Sequence, residues 1–136
     1  MGRLGEAPAL AFLGSAAVLH HVSLEVPPEE ADRSIEFWGL LGFEEVPAAD
    51  VLGDSVRWLE RDATQIHLIL TEGHTAPALG HAAVVAPDHA DAKRRLRDAG
   101  FQVEDTRQLW GADRAFAMAP GGHRVELMAA PPPPKS

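Results

Sequence analysis

The chain writes one phrase twice, and that repeat limits its fold more than any other feature. Residues 19–27 read LHHVSLEVP and residues 79–87 read LGHAAVVAP. After the first copy comes PEEADRSIEFWGLLGF, and after the second DHADAKRRLRDAGF. Both continuations carry apolar residues at helical spacing, Ala31, Ile35 and Trp38 in one and Ala92, Leu96 and Ala99 in the other. Both close on glycine and phenylalanine, Gly42-Phe43 and Gly100-Phe101, and a glycine just past the last apolar position is a usual helix stop. Asp88 is placed to cap the second helix.

Each helix is followed by three short strand-like runs. They lie near 43–48, 55–61 and 65–71 in the first half, and near 101–107, 114–119 and 123–129 in the second. Turn signals separate them, Gly53-Asp54 and Pro120-Gly121-Gly122 among others. The two halves align at an offset of 60 residues between His21 and His81, and of 59 between His67 and Glu126. The expected architecture is α+β: two tandem βαβββ modules, 17–71 and 79–130, within one domain 17–130. Residues 1–16 form an N-terminal arm and 131–136 a frayed, proline-rich tail. One module alone is too small to close a core well, so the two should pack as a pair.

Alternation along the strands sorts the side chains. Val22, Leu24 and Val26 share the face a helix should cover, and His21 turns to the other. By the same rule His67, His81 and Glu126 turn away from Ile66 and Leu68, Ala82 and Val84, and Val125 and Leu127. Four ligand-type side chains thus occupy duplicated positions on four strands. A sheet with one wet face also shows alternating polar residues, but rarely at repeat-equivalent positions of metal-binding type. His20 has the opposite parity and reads as a spare histidine, at the edge or supporting a ligand instead of being one. Trp38 belongs to the core. His74, His89 and His123 fall in loop or helix-start contexts and read as solvated.

Composition narrows the function. The net charge of −8 argues against nucleic-acid binding, and the run Lys93-Arg94-Arg95 with Arg97 reads as a solvated helix face. No stretch is long and apolar enough to span a membrane. The opening residues only faintly resemble a signal peptide, so a cytoplasmic protein is expected. There is no cysteine, which removes thiolate chemistry and Cys-ligated zinc, and no tyrosine.

Over roughly residues 17–130 the chain resembles the vicinal oxygen chelate superfamily, which includes glyoxalase I, methylmalonyl-CoA epimerase, fosfomycin resistance proteins, extradiol dioxygenases and bleomycin resistance proteins. The marks are HHVSLEV, the helix ending FWGLLGF, TQIHLIL, GHAAVV and APGGHRVELM. The resemblance implies two modules whose sheets curl, mainly antiparallel, around a cleft with helices outside. It also implies a divalent ion held from the first and last strand of each module, here His21, His67, His81 and Glu126. Imidazole and carboxylate suit Zn, Ni, Fe, Mn or Co. An open coordination position lets such an ion polarise a carbonyl and gather enediolate charge.

The chain departs from glyoxalase I in offering one carboxylate instead of two. Glu126 or His67 is then the proton-moving residue. Alternatively His67 sits off the metal and leaves His21, His81 and Glu126 as a triad. Arg124 shares a face with Glu126 and would steady it or an anionic substrate group, while Trp58 and Trp110 would line the cleft mouth. The missing tyrosine weakens the dioxygenase and fosfomycin readings. The expected protein is a metal-dependent lyase or isomerase acting on a small oxygen-rich molecule, as a homodimer. The alternative is a metal-free, bleomycin-resistance-like binder, or a ring-cleaving dioxygenase.

Overall fold

The computed structural model describes residues 16–134. Most of the expected N-terminal arm, and the last two residues of the tail, lie outside the described residues. In chain order the elements are β1 (His21–Val26), α1 (Ala31–Leu40), β2 (Glu44–Val46), β3 (Val56–Arg61), β4 (Thr64–Leu70), β5 (Ala82–Val85), α2 (His89–Asp98), β6 (Val103–Leu109), β7 (Ala112–Ala119) and β8 (His123–Met128). Each half is strand, helix and three strands.

The strands form two four-stranded sheets, ordered β1-β4-β3-β2 and β5-β8-β7-β6. In each, the first strand lies parallel to the last, and the other neighbours are antiparallel. This crossover is what places β1 beside β4, and β5 beside β8, so residues far apart in sequence become neighbours. Among the described residues no helix is long and apolar enough to cross a membrane.

Both helices stop by the same device. Gly42 and Gly100 take φ of 97° and 91°, a left-handed backbone that glycine adopts without a Cβ clash. The amide of Phe43 then bonds back to the Trp38 carbonyl, and that of Phe101 to Leu96, each at 3.0 Å. The two phenylalanines are thereby turned into the core. Asp88 caps α2 by accepting the Asp91 amide at 3.3 Å.

One apolar cluster runs through both halves, including Val26, Phe37, Trp38, Leu59 and Leu68 from the first and Leu96, Phe101, Val125 and Leu127 from the second. Phe37 meets Phe101 edge to face, ring centroids 5.1 Å apart. Burying side chains of this size contributes about 1.5–3 kcal/mol each. The halves also meet at the 120–122 turn, where His123 Nε2 donates to the Glu25 carbonyl at 2.6 Å and the Gly121 amide donates to Glu30 at 3.2 Å.

Two expectations about solvated histidines are overturned. His89 and His123 are buried, 6% and 5% exposed. His89 opens α2 beneath the β6–β7 hairpin, and His123 is the clasp just described. Their sequence contexts signal helix start and strand start, but not that the second half folds over the first position or the first half over the second.

Candidate metal and acid–base centre

The first group grows from the parallel pairing of β1 with β4. His67 stands on β4 opposite Trp58 of β3, its direct cross-strand partner. The two rings lie flat on one another, centroids 4.3 Å apart and planes 7° apart. His21 of β1 stacks on the other side of His67, at 3.9 Å and 11°. His20 joins edge on, its ring 5.2 Å from His21 and 6.3 Å from His67. Gln65, two residues before His67 and on the same face, accepts from His67 Nε2 at 2.7 Å and donates to Glu60 at 2.8 Å.

His20, His21 and His67 each bring one ring nitrogen within 4.8 Å of the other two. Two nitrogens bound to one tetrahedral ion at about 2.1 Å lie about 3.4 Å apart; the Nδ1 atoms of His20 and His21 are 3.0 Å apart. Burial, and then the neighbouring His21 and His20, hold the pKa of His67 below the ordinary histidine value. A neutral imidazole is the form a metal needs. These three nitrogens can serve a divalent ion once the His21 ring turns out of its stack on His67, because a ligating imidazole lies in the plane of its ion and the two rings now stand parallel, 3.9 Å apart.

The second group lies on β8 and at the entry to β5. His81 Nε2 donates to Glu126 Oε1 at 3.0 Å, and His81 Nδ1 faces the Leu79 carbonyl at 2.8 Å. Arg114 Nε donates to Glu126 Oε2 at 2.7 Å. Burial pushes the Glu126 pKa up, but the bonds from Arg114 and His81 outweigh it and leave the carboxyl below its ordinary value.

His21 is therefore beside His67, and His81 beside Glu126. Among the described residues no cluster of three or more ligand atoms within 4.8 Å combines the two pairs. A groove of about 400 Å³ runs between the modules, lined by Ser23 and Glu25 of β1, Thr75 and Pro77 of the linker, His81 and Arg124. Arg124 does not hold Glu126; its guanidinium lies 4.1 Å over the Phe116 ring. That role falls to Arg114, diagonal to Glu126 across the β7–β8 pair. Alternation in ADRAFAMA, with Arg114, Phe116 and Met118 on one face, was the available signal. Trp58 also borders a second hollow of about 820 Å³ beside the 47–54 loop. Trp110 lines neither; it sits in the β6–β7 turn with its indole N–H on the Ala130 carbonyl at 3.0 Å.

No family model matches the sequence, and no curated protein matches it. Solved structures do. A protein from Bacillus anthracis assigned to the glyoxalase family superposes with a TM-score of 0.73 at 23% identity, over 82% of this chain and 93% of that one. The fold is that of the glyoxalase/bleomycin resistance/dioxygenase superfamily. Lactoylglutathione lyase from Agrobacterium tumefaciens gives 0.64 at 16% identity over 84% and 94% of the chains. A member of the glyoxalase/bleomycin resistance protein/dioxygenase superfamily from Sphaerobacter thermophilus gives 0.62 at 22%, over 82% and 96%. The glyoxalase-like fold accounts for the two groups together: each is built where the first and last strands of a module run side by side.

Proposed function

We propose that this chain is a metal-dependent enzyme of glyoxalase type that takes a proton from carbon next to a carbonyl of a small, oxygen-rich molecule. The observation that carries it is the gathering of His21 with His67, and of His81 with Glu126, at equivalent strands of the two modules. His21 and His67 would hold a divalent ion, with His81 and Glu126 as the further ligands. When bound, such an ion supplies a Lewis acid for a carbonyl oxygen.

The remaining work falls to the chain's own side chains. Arg114 occupies Glu126 Oε2 and keeps the carboxylate ionised. Oε1, which accepts from His81, would take the proton if Glu126 leaves the ion to the three histidines; His67 is the other candidate for that role. Arg124, on the groove wall, would meet an anionic group of the substrate, and Trp58, stacked on His67, borders the hollow beside the 47–54 loop. A homodimer belongs to the same proposal, and sedimentation tests it.

The experiment is metal reconstitution followed by hydrogen exchange. Chelator-treated protein is loaded with Zn, Ni, Co, Mn or Fe and mixed in D2O with a panel of 2-hydroxy- and 2-oxo-carbonyl compounds. Metal-dependent loss of the C–H signal by proton NMR supports the enzyme. Protein that retains no metal yet binds small molecules in the groove would establish the metal-free binder instead.

A further inference from the structure

We infer that His20, the histidine outside the strand pattern, is a metal ligand, and that His20, His21 and His67 form a three-nitrogen site contained in the first module. This rests on the metal-dependent reading above and changes its ligand set. Strand parity assigns His20 to the opposite face from His21. Parity applies only where the backbone is held in the sheet, and β1 begins at His21. Before the strand begins, the His20 carbonyl accepts from the Gln65 amide at 2.9 Å. The His20 side chain is therefore free of the alternation. It turns back so that its Nδ1 lies 3.0 Å from that of His21.

The third nitrogen is selected by its neighbours. Glu60, as a carboxylate, can only accept, so Gln65 must present its amide N–H₂ to Glu60 at 2.8 Å. The Gln65 oxygen then faces His67 Nε2 at 2.7 Å and can only accept from it. His67 is thereby fixed with its proton on Nε2, and the lone pair is on Nδ1. A ligand histidine whose other nitrogen donates to a fixed acceptor is oriented and made more basic. Gln65 and Glu60 are positioning residues for that ligand. Three imidazoles on a tetrahedral ion leave a fourth position open. Zn²⁺ or Co²⁺ suits the site.

The test is titration of the chelator-treated full chain with Co²⁺, following its visible absorption and the heat of binding. His20 is exposed and precedes the first strand, so His20→Ala should fold normally; far-UV circular dichroism verifies this. His20→Ala is expected to weaken Co²⁺ binding at least tenfold and to change the absorption band. Gln65→Met is expected to weaken it roughly 10- to 100-fold. In the metal-free protein, long-range ¹H–¹⁵N correlation spectra should show His67 as the Nε2–H tautomer. Gln65→Met should shift it toward a mixture, and Glu60→Gln, which lets the Gln65 amide turn over, should do the same.

The inference is overturned if His20→Ala binds Co²⁺ like the unmodified chain while His21→Ala, His81→Ala and Glu126→Gln lose it. That outcome would leave the four-ligand reading standing. If none of these substitutions changes binding, both fall. A wild-type His67 with its proton on Nδ1 would overturn the Gln65 assignment alone.

Discussion

Trp58 lies flat against His67, 4.3 Å between ring centroids and 7° between planes. They are direct partners across β3 and β4, where side chains stand closest. The indole and the His21 ring both stack on this imidazole, and burial is the first cause that holds the His67 pKa below its ordinary value, ahead of the neighbouring His21 and His20. Trp58→Ala should uncover the imidazole. The His67 pKa should rise toward the ordinary histidine value of about 6.5, measured by NMR titration. Loss of the half-buried indole should also cost about 1–3 kcal/mol in urea unfolding.

Arg114 and Glu126 are both nearly buried, their side chains 11% and 10% exposed. The Glu126 carboxyl is held below its ordinary value in the folded protein. The pair therefore stabilises the fold above the unfolded carboxyl pKa, and its contribution is lost as pH falls through the folded one. Arg114→Met leaves a buried carboxylate with His81 as its remaining partner. Unfolding at pH 7 should lose about 3 kcal/mol. The Glu126 pKa should rise, because burial is no longer outweighed, and ¹³C NMR of the carboxyl reads that directly.

His89 supplies a second acid sensitivity of the same sign, from a neutral group instead of a charged pair. Both its ring nitrogens are buried without a hydrogen-bond partner. Burial first, and Lys93 one turn along second, lower its pKa, while Asp113 and Asp105 pull weakly the other way. The folded chain keeps this ring neutral where the unfolded chain would protonate it. Above about pH 6.5 neither state gains a proton; below it the unfolded state does, so stability falls with pH through that window. His89→Leu keeps the volume and removes the titration. Its unfolding free energy between pH 7 and 5 should be flatter than that of the unmodified chain. A parallel slope would mean that His89 does not carry the effect.

The architecture was legible because its signals are local. The Gly42-Phe43 and Gly100-Phe101 stops lie two residues past the observed helix ends, and the run expected near 65–71 lies within a residue of its strand. The stretches expected near 43–48 and 101–107 differ more, since β2 is only Glu44–Val46 and β6 runs to Leu109. Alternation located His67 and Glu126 correctly on their strands because both are paired on two sides. It misplaced His20, where the backbone is not yet in the sheet. The link from Arg114 to Glu126 is diagonal and depends on register, which alternation does not carry. The burial of His123 depends on how one module covers the other, and that of His89 on how the β6–β7 hairpin folds back over its own helix, which no local pattern carries.

Gly121 offers a measure of that covering. Its φ is 83°, and a Cβ there would stand 3.1 Å from Val26 Cγ1 and 3.2 Å from the Glu25 carbonyl oxygen. Gly111 is the control: φ is 72° and a Cβ would meet nothing within 4 Å. Gly111→Ala should cost only the left-handed backbone, about 1–2 kcal/mol. Gly121→Ala should cost that and more, because β1 and the 120–122 turn must separate and strain the His123 bond to Glu25. The difference between the two variants in urea unfolding isolates the contact between modules. Equal losses would show that the turn yields without disturbing β1, and would remove the 120–122 turn from the forces that hold the two sheets around the groove.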